Sequence, residues 1–483
     1  MAATAPSADT TESSADDAAG AAATPSSGTA PRPGTFKSLS NRNFRIYLTG
    51  QTISMAGTWM QAVGQGWLVL KLTGSGTALG LVGALQFLPI LLLGAMSGVI
   101  VDRVDRRKLY ALTQAVCGST ALALGVLTAT GMVRLWMIYV LAGLLGLVTA
   151  IDQPTKIAFL YDMVGPEDLT NAVSLNQAMN NLGRIIGPAL AGLVIGLLGI
   201  APCFLINALS FVAVIVALLS MRAADLHVAP VQPRRKGQVR EGLEVVRRSP
   251  ELLALLVMAA LFFGLAWMAD IVMPLIARYT FHGGATLYGL FLTSIGVGAI
   301  GGALYTARQG DPSRRLLGGA GVAVGVSCLA AAVAPWMWLE MVLMLPLGAA
   351  GSTFIATLSS RIQLQTPIEV RGRVMALWSM AAIGSRPFGA PIVGAVGQHF
   401  GPRYAMGLAA VSVLLLALPT WLLLSARGAR RSDARSYART SAATEPSTPL
   451  TNRPDSSVEK RLASSTASEM TAPVGTSARS RSS

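Results

Sequence analysis

Twelve apolar runs divide the chain, at 46–70, 77–101, 109–130, 135–160, 171–198, 202–221, 252–277, 286–307, 316–334, 336–359, 373–396 and 403–426. Each is long enough to cross a hydrocarbon layer of about 30 Å as a helix. A helix is the only open-ended element that satisfies its own backbone in lipid, so all twelve are expected to be α-helical. Composition agrees. A soluble chain carries about a quarter charged residues, whereas this one has 13% charged and 52% hydrophobic residues, with a mean hydropathy of +0.54.

The ends differ from the middle. Residues 1–35 are mostly Ala, Ser, Thr, Pro and Asp, and residues 427–483 are rich in Ser, Thr, Ala and Arg. Neither carries enough apolar surface to order itself, so both are expected to be disordered tails. The chain opens without a basic segment followed by an apolar core, which argues against a cleaved signal peptide.

Basic residues fall on alternate loops. One set holds Lys37, Arg42 and Arg45, then Arg103, Arg106, Arg107 and Lys108, the run from Arg222 to Arg248, then Arg308, Arg314, Arg315, Arg371 and Arg373. The opposite set holds only Lys71, Arg134, Arg278 and Arg403. Cytoplasmic loops collect Lys and Arg, so both termini are expected inside, in a multi-pass protein of the cell membrane. The net charge of +15 then reflects basic loops facing anionic lipid, and nucleic acid is not an expected partner.

Several chemistries are excluded. Cys117, Cys203 and Cys328 lie in or at the ends of apolar runs, as small buried hydrophobes do. No metal-ligand spacing occurs, and no cofactor is expected. Gly296-Val-Gly298-Ala-Ile-Gly301 fits the dinucleotide pattern GxGxxG, but it falls inside a run with no strand before it. Small residues at that spacing let membrane helices approach closely. There is no GxxxxGK[ST], so the chain has no P-loop for ATP. It is not expected to be an enzyme, and its work must draw on a gradient or a partner.

The chain is built twice. A shift of about 200 residues lays Arg184-Ile-Ile-Gly187 with Gly192 on Arg386-Pro-Phe-Gly389 with Gly394, and Pro166 on Pro367. The expected architecture is therefore an all-α membrane protein, its twelve transmembrane helices forming two pseudo-symmetric six-helix bundles, 36–221 and 251–426. The basic linker 222–250 joins them, with Val239, Leu243 and Val246 on one face of an interfacial helix. Repeats of this kind place a substrate site between the halves near the midplane.

Polar groups inside the runs mark candidate sites, because an ionisable group at a helix centre costs about 2.5–3.5 kcal/mol and rarely faces lipid. Arg184 and Arg386 each fall some thirteen residues into their runs, roughly 20 Å from the cytoplasmic face at 1.5 Å per residue. Asn176, Asn180 and Arg184 share one helical face, as do Gln51, Ser54, Thr58, Gln61 and Gln65. These stripes either line a wet cavity or bond helix to helix. The acids are fewer. Asp152, Asp270 and Glu340 are candidates to carry protons, and Asp152 is equally placed to be a permanent counter-ion to Arg184. Asp102, Arg103, Arg106 and Arg107, between the second and third runs, form either a solvated turn that enforces topology or a latch between the halves.

The order of features resembles the major facilitator superfamily, and within it the exporters of the enterobactin and macrolide-efflux type. Ser54-Met-Ala-Gly57-Thr-Trp59-Met60 with Trp67-Leu-Val-Leu-Lys-Leu-Thr73-Gly74-Ser75 is similar to that branch's opening. Gly98-x-x-x-Asp102-Arg103-x-x-Arg106-Arg107-Lys108 resembles the superfamily's signature loop, with Asp105 where glycine is usual, and Arg371-Gly372-Arg373-Val374 resembles the entry to helix 11. Gly183-x-x-x-Gly187-Pro188-x-x-Ala191-Gly192 is part of the antiporter signature. The resemblance covers about residues 38–426 and implies a gating role for the Asp102 loop.

The expected function is proton-coupled secondary transport, exporting amphipathic small molecules of drug, antibiotic or siderophore type by alternating access. The expected partners are that substrate, protons and membrane lipids, with the protein acting as a monomer. A nutrient importer or lipid flippase of the same fold is the alternative, and a non-transporting receptor is disfavoured by the lack of any second folded domain.

Overall fold

The computed structural model of the protein describes residues 36–101, 103–227 and 238–417. The expected tails, Asp102 and the stretch 228–237 lie outside the described residues. Within them every regular element is helical. The helices are α1 (Arg42–Thr73), α2 (Gly76–Val101), α3 (Arg106–Ala129), α4 (Leu135–Leu198), α5 (Ala201–Leu219), α6 (Gln238–Arg248), α7 (Pro250–Leu261), α8 (Ala269–Leu275), α9 (Ala285–Gln309), α10 (Arg314–Ala332), α11 (Met337–Gln365), α12 (Arg371–Gly384), α13 (Arg386–His399) and α14 (Pro402–Ala417).

Among the described residues, eight helical stretches are long and apolar enough to cross a membrane. α1 is long enough but interrupted by Gln, Ser and Thr. α4 runs for 64 residues, far longer than one crossing requires. It is broken at Gly165, where φ of 71° lies in the left-handed region that costs glycine nothing, and Pro166 follows. Its arms then cross the same layer twice. Gly146 on the first arm meets the backbone of Gln86 in α2, and Gly183 on the second meets Met55 in α1.

Two other crossings are interrupted. α7 passes through a π-helical turn, Phe262–Ala266, and leaves helical geometry at Trp267 and Met268 before α8 begins. α12 and α13 are separated at Ser385, two residues before Pro387, which has no N–H for the helical ladder. These breaks touch, because a side chain on Gly264 would meet Ser385, and one on Gly389 would overlap the backbone of Gly264.

The packing repeats between the halves. α1 lies against the second arm of α4, and the π turn after α7 lies against α13. α2 lies against the first arm of α4 as α9 lies against α11. α3 lies against α5, and in the second half Gly321 and Gly325 of α10 admit Ala417 and Leu414 of α14. Between the halves, α2 meets α13 and the second arm of α4 meets α9. Gly296 sits against Ile185 across that seam, while Gly298 approaches the backbone of Leu345 in α11. The first two glycines of the GxGxxG string are thus packing contacts on two sides, while Gly301 faces open space.

The linker helix α6 docks on α12 and α7 with Val246 buried, while Leu243 is half exposed. The side chain of Val239 is outside the described set. The three cysteines are buried and unpaired.

Candidate functional site

A cavity of about 660 Å³ lies between the halves, lined from both. α1 contributes Thr58 and Trp59, α2 contributes Phe87, and α4 contributes Lys156, Asn176, Asn180 and Arg184. From the second half come Trp267, Asp270, Tyr288 and Arg386. The expected convergence of Arg184 and Arg386 on one space is what the geometry contains.

The shared glycine pattern accounts for that convergence. Three residues after each arginine, Gly187 and Gly389 press against the first crossing of their own half, at Trp59 and Gly264. Five residues further, Gly192 and Gly394 press against the opposite half, at Thr286 of α9 and Gly76 of α2. Each arginine therefore sits on a helix held on both sides, beside the seam. Any Cβ at these glycines would part the helices.

The environments of the two arginines differ. Nη2 of Arg386 donates to both carboxylate oxygens of Asp270, at 2.7 and 2.8 Å, and its guanidinium lies 4.4 Å from the Phe87 ring centre. Arg184 has no acid within ion-pair distance among the described residues. Its guanidinium stands 5.3 Å from the ring centre of Trp59 and 5.6 Å from that of Trp267, one indole from each half. Trp267 reaches this position because its non-helical backbone follows the π turn and Gly351 leaves room for its ring.

One end of the cavity is closed. At the turn between α1 and α2, the Gly76 amide donates to Oε1 of Gln398 at 2.7 Å. Arg278 donates to the Leu70 carbonyl at 2.6 Å, and the Tyr279 hydroxyl to the Gly74 carbonyl at 2.6 Å. All three bonds join first half to second. The lining continues instead toward the Gly165 turn, through Leu160 and Val173.

The α1 stripe is largely a correction. Of its five residues only Thr58 lines the cavity. Gln51 is buried and accepts from the Tyr110 hydroxyl at 2.8 Å, and Gln61 is buried and accepts from Asn207 at 2.7 Å. Ser54 and Gln65 are buried without lining it. A shared face does not say which neighbour covers it, and here α3 and α5 do. Gln51 and Gln61 bond helix to helix within the first bundle.

The acids are also rearranged. Asp152 is not the counter-ion of Arg184, because its Oδ1 accepts from Thr113 at 2.6 Å and from Gln114 at 2.8 Å, both on α3. Asp270 lines the cavity, bound to Arg386. Glu340 is buried in the first turn of α11, and among the described residues neither carboxylate oxygen has a hydrogen-bond partner.

In the loop after α2, Arg103 is exposed and Arg106 binds Asp162 of α4 at 2.8 Å. Arg107 donates to the Leu218 and Leu219 carbonyls at the end of α5. Asp105, in place of the usual glycine, caps α3 by accepting from the amides of Arg107 and Lys108. Asp102 is outside the described residues.

Two features had no signal in the sequence reading. Trp267 and Tyr288 looked like ordinary apolar residues of their runs. In the first turn of α7, Glu251 binds Arg314, Arg361 at 2.7 Å and Gln365, groups 63 to 114 residues away.

Comparison with known proteins agrees with this architecture. Residues 33–449 match the family model described as transmembrane secretion effector. The chain is 27% identical to the multidrug efflux pump Tap of Mycolicibacterium fortuitum, over 76% of this chain and 90% of that one. It is 26% identical to the enterobactin exporter EntS of Citrobacter koseri, over 72% and 83%. It is 25% identical to the staphyloferrin A transporter of Staphylococcus aureus, over 53% of this chain and 64%, less than two thirds, of that one. A crystal structure of a bacterial homologue of the human lysosomal transporter Spinster, inward-facing and unoccupied, superposes with a TM-score of 0.63 at 13% identity, covering 79% of this chain and 96% of that one. The chain belongs to the transmembrane secretion effector family, a branch of the major facilitator superfamily of multi-pass membrane transporters.

Proposed function

We propose that the protein is a secondary active exporter of amphipathic small molecules, working by alternating access in the cell membrane as a monomer with both termini cytoplasmic. The observation that carries this reading is a cavity faced by both halves, bonded shut at the α1–α2 turn and continuing toward the Gly165 turn. In this orientation the bonded end is extracellular and the structure is an inward-facing state. The resemblance to a multidrug efflux pump and an enterobactin exporter supports outward transport. The halves that move are 36–221 and 251–426, joined by the linker 222–250.

The coupling ion is the proton. Asp152, Asp270 and Glu340 are the acids within the crossings, and Asp270 is the one that lines the cavity. The loop residues Asp102, Arg103, Arg106 and Arg107 serve the cytoplasmic gate. Its anchor is the Arg106–Asp162 pair.

Everted membrane vesicles test both statements. With a panel of labelled antibiotics and siderophores, energised everted vesicles containing the protein should accumulate a compound that control vesicles do not. An importer of the same fold would accumulate it in right-side-out vesicles instead. Collapsing the pH gradient should stop accumulation, and accumulation driven by ATP without a gradient would refute proton coupling.

A further inference from the structure

Resting on the exporter reading, we infer that the cavity takes organic anions carrying a flat apolar body, with Arg184 as the acid-binding group. Three cationic side chains line the space, Arg184, Arg386 and Lys156, against one acid, Asp270. That acid is already held by Arg386. Asp152 lies one turn before Lys156 and softens its charge, but it points to Thr113 and Gln114 and does not line the cavity. Counting it still leaves an excess of positive charge.

Arg184 is the group without an answer. A guanidinium carries five N–H donors, no acceptor, and a charge it does not give up. Among the described residues none of those donors bonds to protein, and the ring faces of Trp59 and Trp267 flank the group. Ring faces hold a cation but leave its donor fork free. In a mid-membrane cavity that fork must meet water or an anion.

The same two indoles present flat apolar surface beside the donors, with Phe87 and Tyr288 also on the cavity wall. A ligand with a carboxylate, catecholate or sulfonate next to an aromatic ring satisfies both at once. An amphipathic cation meets the opposite: repulsion from Arg184 and Lys156, and an acid already occupied.

The test uses the purified full chain in lipid nanodiscs and three ligands that share a naphthalene ring: 1-naphthoate, 1-naphthylmethanol and 1-naphthylmethylammonium. Calorimetric titration should show the carboxylate binding at least tenfold tighter than the alcohol, and the ammonium compound binding weakest. Arg184→Gln should remove that preference while the thermal midpoint shows the protein folded. Lys156→Gln, a second variant should the first not fold, should reduce the preference severalfold. A carboxylate bound no tighter than the alcohol, a cation bound as tightly, or an unchanged preference in a folded variant overturns the inference. Everted vesicles separate it from the exporter reading. Accumulation of the ammonium compound with Arg184→Gln inert overturns the anion inference and leaves export standing. Arg184-dependent carboxylate binding without accumulation of any compound leaves the anion site standing and removes export.

Discussion

Arg386 holds Asp270 through a single terminal nitrogen that bonds both carboxylate oxygens, tying the first residue of α13 to the first turn of α8. Each residue closely follows the break in its own crossing, at Trp267–Met268 and at Ser385, and the two breaks adjoin. The ion pair therefore bridges two interrupted crossings. The equivalent crossing in the first half, α1, is continuous, and its arginine neighbour Arg184 has indoles in place of an acid.

A double-mutant cycle on this pair, Asp270→Asn, Arg386→Gln and both together, should give a coupling of about 1 kcal/mol in unfolding free energy. The coupling is no larger because the Asp270 side chain is 47% exposed, so water screens the pair. Additive single mutants, measured by denaturant unfolding in detergent, would show that the bridge carries no energy.

Gly389→Ala should be far more costly than its single methyl suggests. The new Cβ would overlap the Gly264 backbone, which cannot rotate away as a side chain can. A loss of about 1–3 kcal/mol is expected from forced helix displacement. Gly372→Ala, inside α12 with open space at its Cβ, is the control and should not lower thermal stability.

Asp105→Ala should cost about 1 kcal/mol by removing the cap of α3, and Asp105→Asn should recover most of it, since an amide oxygen also accepts from the Arg107 and Lys108 amides. Thermal melts of the three proteins decide it. Equal losses in both variants would mean that charge, and not capping, is what this position supplies.

Charge movement provides a pH-independent check on substrate type. A univalent anion leaving in exchange for an entering proton moves two charges across the membrane, each worth about 2.3 kcal/mol per 100 mV. A cation exchanged one for one moves none. Collapsing the membrane potential alone, with the pH gradient kept, should slow anion export strongly, and an unaffected rate would contradict this stoichiometry.

The crossings were legible because lipid tolerates few ways of satisfying a backbone, so length and hydropathy nearly decide them. The arginine pair was legible because duplication preserved its spacing to two glycines. The α1 stripe was not: periodicity reported that Gln51 and Gln61 share a face, but the Tyr110 and Asn207 that cover it are 59 and 146 residues distant. Of the two roles open to Asp152, the counter-ion role fell for the same reason, since its partners Thr113 and Gln114 sit on α3. Trp267 was invisible because its role depends on a local break and on the space above Gly351.

The central claim is a single cavity reached alternately from the two faces of the membrane. Thr58 is exposed on its wall, mid-way along α1, and the native cysteines are buried, so Thr58→Cys supplies the one accessible thiol expected among the described residues. A membrane-impermeant maleimide should label it rapidly in everted vesicles, where the cytoplasmic side faces out. It should also label it, more slowly, in right-side-out vesicles, through the outward-facing state that forms when the Gly76–Gln398 seam opens. Labelling confined to one orientation at all times and temperatures would contradict alternating access through this cavity.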